Sequence, residues 1–332
     1  MSIDTAKEPA RGAERNNGPV AWFRSNWKDY VVYIGFVAIF IFFAITLGER
    51  GFLSPNNLVN ILRQVSIVAI MAVAMTFVLS AGEIDLSVGA IAGLTSVTAG
   101  MALANYGLPA GVVVGLATGL LVGAVNGGLT AFLGIPSFLV TLGMMGIARG
   151  TGMWISGTAP VPVMDDTYNF AFGSGSVGPV PVLILWLIFI AIIAHVTLRS
   201  TPFGRKVLAT GGNETSARFS GIKTRMVKFQ VLLITGGAAA IAGMLYAGRL
   251  QSGRFQLGEG DELSVIAAVV LGGTSLFGGK GTVIGSIVGA LMIGVINNGL
   301  ILMGLEFSQQ LIARGALIIL AVAIGSGSLL KK

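Results

Sequence analysis

The sequence predicts an all-α membrane protein, a polytopic bundle of about ten transmembrane helices arranged as a 5+5 inverted repeat. Three observations carry that expectation. Of 332 residues, 54% are apolar and only 11% charged, with a mean hydropathy of +0.85; a soluble domain carries about a quarter of its residues as Asp, Glu, Lys or Arg. Apolar runs long enough to cross a bilayer recur along the chain. Short motifs of the first half return in the same order in the second.

A water-soluble molecule of this size could not hide so much apolar surface, so lipid must solvate much of it. Cys is absent and there is a single His. That excludes disulfides and thiolate chemistry and argues against a zinc site or a His-based triad. Neither catalytic residues, a metal site nor a cofactor is therefore expected. Gly is abundant at 49 residues, against 10 Pro, as suits helices whose backbones approach closely.

The first 30 residues are polar at their start, with no apolar h-region, and predict a cytoplasmic segment without a cleavable signal. Trp22, Phe23, Trp27 and Tyr30 beside Arg24 and Lys28 suit the headgroup layer ahead of the first span. A transmembrane domain then covers 31–328, with spans near 31–48, 61–80, 87–105, 110–132, 137–156, 180–198, 227–248, 263–279, 283–304 and 308–328. With the N-terminus inside, cytoplasmic segments hold most of the 21 Lys and Arg, seven of them between 199 and 228. Segment 157–179, with Asp165 and Asp166 and no base, falls outside. The distribution predicts a multi-pass inner-membrane protein with both termini cytoplasmic. The net charge of +7 then reflects topology rather than nucleic-acid binding.

Asp85-Leu86-Ser87-Val88 is echoed by Glu262-Leu263-Ser264-Val265, and Thr95-Ser96 by Thr274-Ser275. Gly123 to Leu129, centred on Asn126, is echoed by Gly294 to Leu300, with Asn297 and Asn298. Ile147-Ala148-Arg149-Gly150 recurs unchanged as Ile312-Ala313-Arg314-Gly315. The echoes fall five spans apart, so repeat one (about 31–156) and repeat two (about 180–328) enter the membrane from opposite sides, a recurrent plan among transport proteins. Gly111, Gly115, Gly119, Gly123 and Gly127 make a bare stripe along span four, and Gly281, Gly285 and Gly289 another into span nine. Such stripes serve helix packing within one chain or between subunits.

Ionisable and polar residues within the spans are the candidates for a translocation pathway. Arg149 and Arg314 either meet substrate or act structurally, paired with Asp85, Glu262 or helix carbonyls. Asp85, Ser87, Glu262 and Ser264 read as helix beginnings, whose free N–H groups would serve polar solutes at membrane depth or simply be capped at its surface. Asn126, Asn297 and Asn298 bond between helices or line a polar route. His195 is expected at the cytoplasmic interface.

No nucleotide site is present. Gly272 to Gly281 approaches a P-loop, but its first Gly is misplaced and Gly281 stands where Ser or Thr must hold magnesium. The cytoplasmic loop 199–226 predicts a short helix, with Asn213 as N-cap, Glu214 in its first turn and Gly221 at its end.

Three stretches carry a specific resemblance: Gly82-Glu83-Ile84-Asp85-Leu86-Ser87-Val88-Gly89, the loop from Gly204 to Ile222, and Ile266 to Ser275 running on to Gly278-Gly279-Lys280-Gly281. With them the chain resembles, over nearly all of 50–328, the permeases of the ribose/xylose/arabinose/galactoside family of bacterial ABC importers. Two departures stand out. Ser216 replaces an Ala of the family's loop, and Glu83 brings a charge where the family's first motif has none.

The resemblance implies a non-catalytic subunit that moves a monosaccharide or polyol from periplasm to cytoplasm. It implies a second permease copy, a cytoplasmic ATPase with two nucleotide-binding domains and a periplasmic binding protein. Gly211, Asn213, Glu214, Ala217, Arg218 and Gly221 would then form the coupling helix and its approach. The rival expectation is a self-contained secondary transporter or channel for a small polar solute. A lipid- or nucleoside-transport relative of the same layout is a third.

Overall fold

The computed structural model describes residues 19–306, 308–313, 315, 316 and 319. Arg314, the chain before residue 19 and much of the tenth expected span lie outside them. The fold is a helical bundle. Its helices are α1 (Pro19–Thr46), α2 (Pro55–Ser80), α3 (Val88–Tyr106), α4 (Leu108–Ala131), α5 (Ser137–Ile155), a single turn α6 (Asp166–Asn169), α7 (Val182–Ser200), α8 (Pro202–Gly212), α9 (Glu214–Phe219), α10 (Thr224–Leu250), α11 (Asp261–Leu271) and α12 (Val283–Leu302). Four two-residue strands, β1 (Val161–Pro162), β2 (Ser176–Val177), β3 (Val180–Pro181) and β4 (Ser252–Gly253), pair antiparallel as β1 with β4 and β2 with β3.

Among the described residues, α2, α3, α4, α5, α7, α10 and α12 are each long and apolar enough to cross a bilayer, and α1 contributes a shorter apolar stretch, Val32–Thr46. The eighth expected span is different. α11 has 11 residues, about 16 Å of helix where a bilayer core needs about 30 Å. It stops at Gly272 and Gly273, the latter at φ +88°, and 272–282 continues without helix. Thr274 N–H closes the end on the Val269 carbonyl at 3.2 Å, the wrapped termination that a left-handed glycine permits. The Thr-Ser echo therefore has two settings: Thr95 and Ser96 sit inside α3, whereas Thr274 and Ser275 lie past the end of α11.

The glycine stripes turn inward, onto this chain's own helices. A Cβ on Gly119 would stand 2.5 Å from the Ala240 Cβ, and one on Gly123 or Gly127 would meet the Leu232 or Phe229 carbonyl at 2.8 Å. α4 thus lies directly on α10. Gly285 and Gly289 likewise bring α12 against Ala268 of α11 and Gly272 just past its end. α2, α3 and α10 are buried through most of their length, while α4, α5 and α7 turn apolar side chains such as Leu121, Ile147 and Phe189 outward, as lipid-facing helices do.

A non-helical strap from 251 to 260 runs antiparallel along one face of α3. Val161 and Val163 cover Gly100, and the Ser96 hydroxyl accepts the Arg254 N–H at 3.0 Å. The Phe255 and Leu257 carbonyls then press on Gly93, and Gly258 on Gly89. The strap ends where α11 begins, so the first turns of α3 and α11 are neighbours. Irregular backbone is stable in such a bundle only when protein buries it, and small residues at each point of approach allow that here.

Candidate functional site

The candidates of segment 199–226 form one structure. Thr201 caps α8, its hydroxyl accepting the Gly204 N–H at 3.3 Å, with Pro202 in the first turn. Phe203 stacks on Phe77 of α2 at 6.3 Å between ring centroids. At its other end Gly211 is wedged between the Ser80–Ala81 backbone and Gly279, while Gly279 N–H donates to the Ser80 carbonyl at 3.0 Å. A Cβ on Gly82, itself at φ +81°, would come to ordinary contact with the Gly211 Cα. The three stretches singled out in the sequence therefore meet at one point.

The short helix α9 follows at once. Asn213 Oδ1 accepts the Ser216 N–H at 2.9 Å, and Glu214 occupies the first turn, where a carboxylate suits the helix dipole. Gly221, at φ +83°, ends the element, with Gly221 N–H on the Arg218 carbonyl and Ile222 N–H on that of Ala217, both at 3.0 Å. Ala217 is the buried side chain of α9. Arg218 is exposed, and so is Phe219, at 83%. Phe219 escaped the sequence reading, although an aromatic amid Ser, Thr and Arg was its signal.

Lys228 escaped it too. Its ammonium, in the second turn of α10, lies 2.8 Å from Glu83 Oε1 and 2.8 Å from Glu214 Oε2. The Thr224 hydroxyl also donates to Glu214, at 3.2 Å. Partial burial raises the Glu214 pKa, but the Lys228 hydrogen bond and charge, with smaller help from Thr224 and Arg218, outweigh it and hold the carboxyl below its ordinary value.

Segment 83–87, between α2 and α3, is held by side chains. Ser137 and Thr141 of α5 accept the Ile84 and Leu86 N–H groups at 3.0 Å. Asp85 accepts the Ser87 N–H at 2.9 Å and the hydroxyls of Ser87 and Thr235 at 2.6 Å. Asn126 donates to the Ser87 hydroxyl at 2.9 Å. Asp85, Ser87 and Asn126 are fully buried, so in this conformation they knot α3, α4 and α10 together and border no open route. Ser87 makes no side-chain cap of α3; its hydroxyl is committed to Asp85.

The second-half candidates gather elsewhere. Glu262 opens α11 beside Gly89, its Oε2 buried without a hydrogen-bond partner, and Ser264 lies two residues further on, its hydroxyl on the Gly260 carbonyl at 3.4 Å. Arg149 reaches across to Glu259 at 3.2 Å and lies within electrostatic range of Glu262. Its structural partner is thus Glu259, which the sequence reading did not name. Asn298 and Asn57 exchange amide hydrogen bonds at 2.8 and 3.0 Å, tying α12 to α2. Asn297 is half-buried beside it. His195 is half-buried near the C-terminal end of α7.

The profile of the family described as branched-chain amino acid transport system / permease component matches residues 57–322. The chain is 40% identical over 310 residues to the ribose import permease protein RbsC of Escherichia coli (strain K12), covering 92% of this chain and 94% of that one. It is 39% identical over 292 residues to the ribose import permease protein RbsC of Bacillus subtilis (strain 168), covering 87% and 91%. The chain belongs to the permease family of bacterial sugar ABC importers. The permease is also 35% identical over 327 residues to the D-allose transport system permease protein AlsC of Escherichia coli (strain K12), covering 96% and 97%. No solved structure matches it. Family and apolar helices together make the permease a multi-pass inner-membrane protein.

Proposed function

We propose that two copies of this permease form the pathway of an importer for a monosaccharide or polyol, worked by a separate cytoplasmic ATPase and fed by a periplasmic binding protein, with both termini cytoplasmic. The observation that carries the reading is α9. A capped helix too short to span or to fold alone stands out from the bundle with Arg218 and Phe219 exposed. It is rooted through Gly211 on both the α2–α3 break and the 278–279 turn. A motor that displaces α9 would therefore act on both halves at once, and coupling requires such differential contact with two conformations.

The packing supports an inverted repeat. α4 lies on α10 while its counterpart α12 lies on α2, and α3 touches α4 and α10 as α11 touches α12 and α2. The second copy is assigned to the outer face of α5, where Gly143, Gly146 and Gly150 have open space before them and bare backbone invites a close helix neighbour. The Arg149–Glu259 pair, partly exposed at 31% and 57%, is the polar feature there that a sugar would pass. The relatives named for ribose, allose and xylose favour a pentose or hexose.

Proteoliposomes holding permease, ATPase and binding protein test this directly. Sugar uptake should require ATP, and the binding protein should stimulate hydrolysis. Uptake by the permease alone, unchanged when ATP is withdrawn, refutes it in favour of a self-contained transporter.

A further inference from the structure

We infer that Lys228 is a positioning residue that makes the coupling helix and the α2–α3 break move as one. This rests on the reading of α9 as the contact with the motor and adds how its displacement reaches the bundle.

The geometry is a bridge. One ammonium sits 2.8 Å from Glu214 of α9 and 2.8 Å from Glu83 of the break. Lys228 and Glu83 side chains are only 20% and 10% exposed, Glu214 44%, so the Glu83 arm is the better shielded from water and the less screened by salt. Two carboxylates share one cation. Without it they face each other unscreened, and the break loses its ionic tie to α9.

The same helix holds the break a second time. Thr235, two turns along α10 and so on the same face as Lys228, donates to Asp85 at 2.6 Å. α10 therefore grips segment 83–85 at both ends, by charge at Glu83 and by hydrogen bond at Asp85. At its start α10 holds Glu214 through Thr224 and Lys228. Movement of α9 reaches the break through α10, and Lys228 is the atom group common to both contacts. The Gly211 contact is backbone packing and carries no such directional tie. Glu83, the charge that departs from the family's motif, acquires its purpose here as the partner of Lys228.

The test uses the full complex in proteoliposomes and reads sugar imported per ATP hydrolysed at matched permease content. This ratio does not fall merely because less protein inserts. Lys228→Met should lower it at least about fivefold, the lower end of a coupling between sites, with hydrolysis continuing. Lys228→Arg should keep most of it. Glu83→Gln should lower it on its own and add little on top of Lys228→Met, since both remove the same bridge. Where Lys228→Met fails to insert, Glu83→Gln alone decides, because it leaves the Glu214 arm intact. A wild-type ratio in Glu83→Gln or Lys228→Met, or full additivity of the two, overturns the inference. Wild-type uptake that ignores ATP overturns the importer reading instead.

Discussion

Gly211 and Gly212 are adjacent in α8, yet the structure assigns them opposite responses to a methyl group. A Cβ on Gly211 would stand 2.8 Å from the Ala81 carbonyl carbon and 2.9 Å from the Gly279 nitrogen, and nearer still to the Ser80 carbonyl oxygen. All are backbone atoms, so relief to ordinary contact with the nearest of them demands that α8 retreat by more than about an ångström. Overpacking of this kind costs about 1–3 kcal/mol, offset in part by the gain of about 1 kcal/mol when Ala replaces Gly in a helix. Gly211→Ala should thus lose up to about 2 kcal/mol. The loss falls where α8 meets both the α2–α3 break and the 278–279 turn. The Cβ of Gly212→Ala would meet only the Gly279 Cα, at 3.7 Å, so that change keeps only the helix gain. Thermal unfolding of the detergent-purified permease should move down for Gly211→Ala and stay or rise for Gly212→Ala. ATP-driven uptake should fall only in the first. Equal behaviour of the two variants would refute the idea that this junction is set by backbone contact.

Gly119→Leu should prevent stable assembly of the bundle, costing more than about 3 kcal/mol because its branches must enter α10, whereas Gly143→Ala, with open space before it, should leave detergent stability unchanged. Asp85→Ala removes the acceptor of three hydrogen bonds of 2.6–2.9 Å; at about 0.5–1.5 kcal/mol net for each bond, unfolding should shift downward by several degrees. Phe219→Ala should weaken ATPase capture by the purified permease in a pull-down without changing its unfolding temperature. Gly221→Pro, which forbids the φ of +83°, should insert normally yet uncouple uptake. Gly146→Cys, in a chain without native Cys, should yield a disulfide-linked dimer on non-reducing gels if α5 meets its copy across a two-fold axis.

The local features of α9 were legible because capping acts over three or four residues: Asn213, Glu214 and Gly221 announce a helix wherever the rest of the chain goes. Spans were legible through sustained hydropathy, and the stripe of α4 through its period. α11 was not, because Val265 to Leu271 and the glycines after them average to an apolar window, while the left-handed Gly273 ends the helix within it. The strap had no signal of its own. Residues 251–260 are polar and glycine-rich like a surface loop, and only the bare face Gly89, Gly93 and Ser96 reveals what they cover. Lys228 read as one more cytoplasmic base. Its meaning comes from Glu83 and Glu214, which the fold alone brings to it. Asp85, Ser87 and Asn126 stood out in the sequence as polar residues within or beside spans, but only burial tells that they join helices in this conformation.

Joined backbone to backbone along about two turns, α3 and the strap have no side chain between them at these contacts to take up a shift. Any rocking of α3 must carry the start of α11 with it as a single plank. Strain from such a stroke is left to 272–282, whose glycines at 273, 278 and 279 already occupy the left-handed basin and rotate at little steric cost. An elbow at the half-length helix's own exit would then owe its stiffness to glycines rather than to side chains.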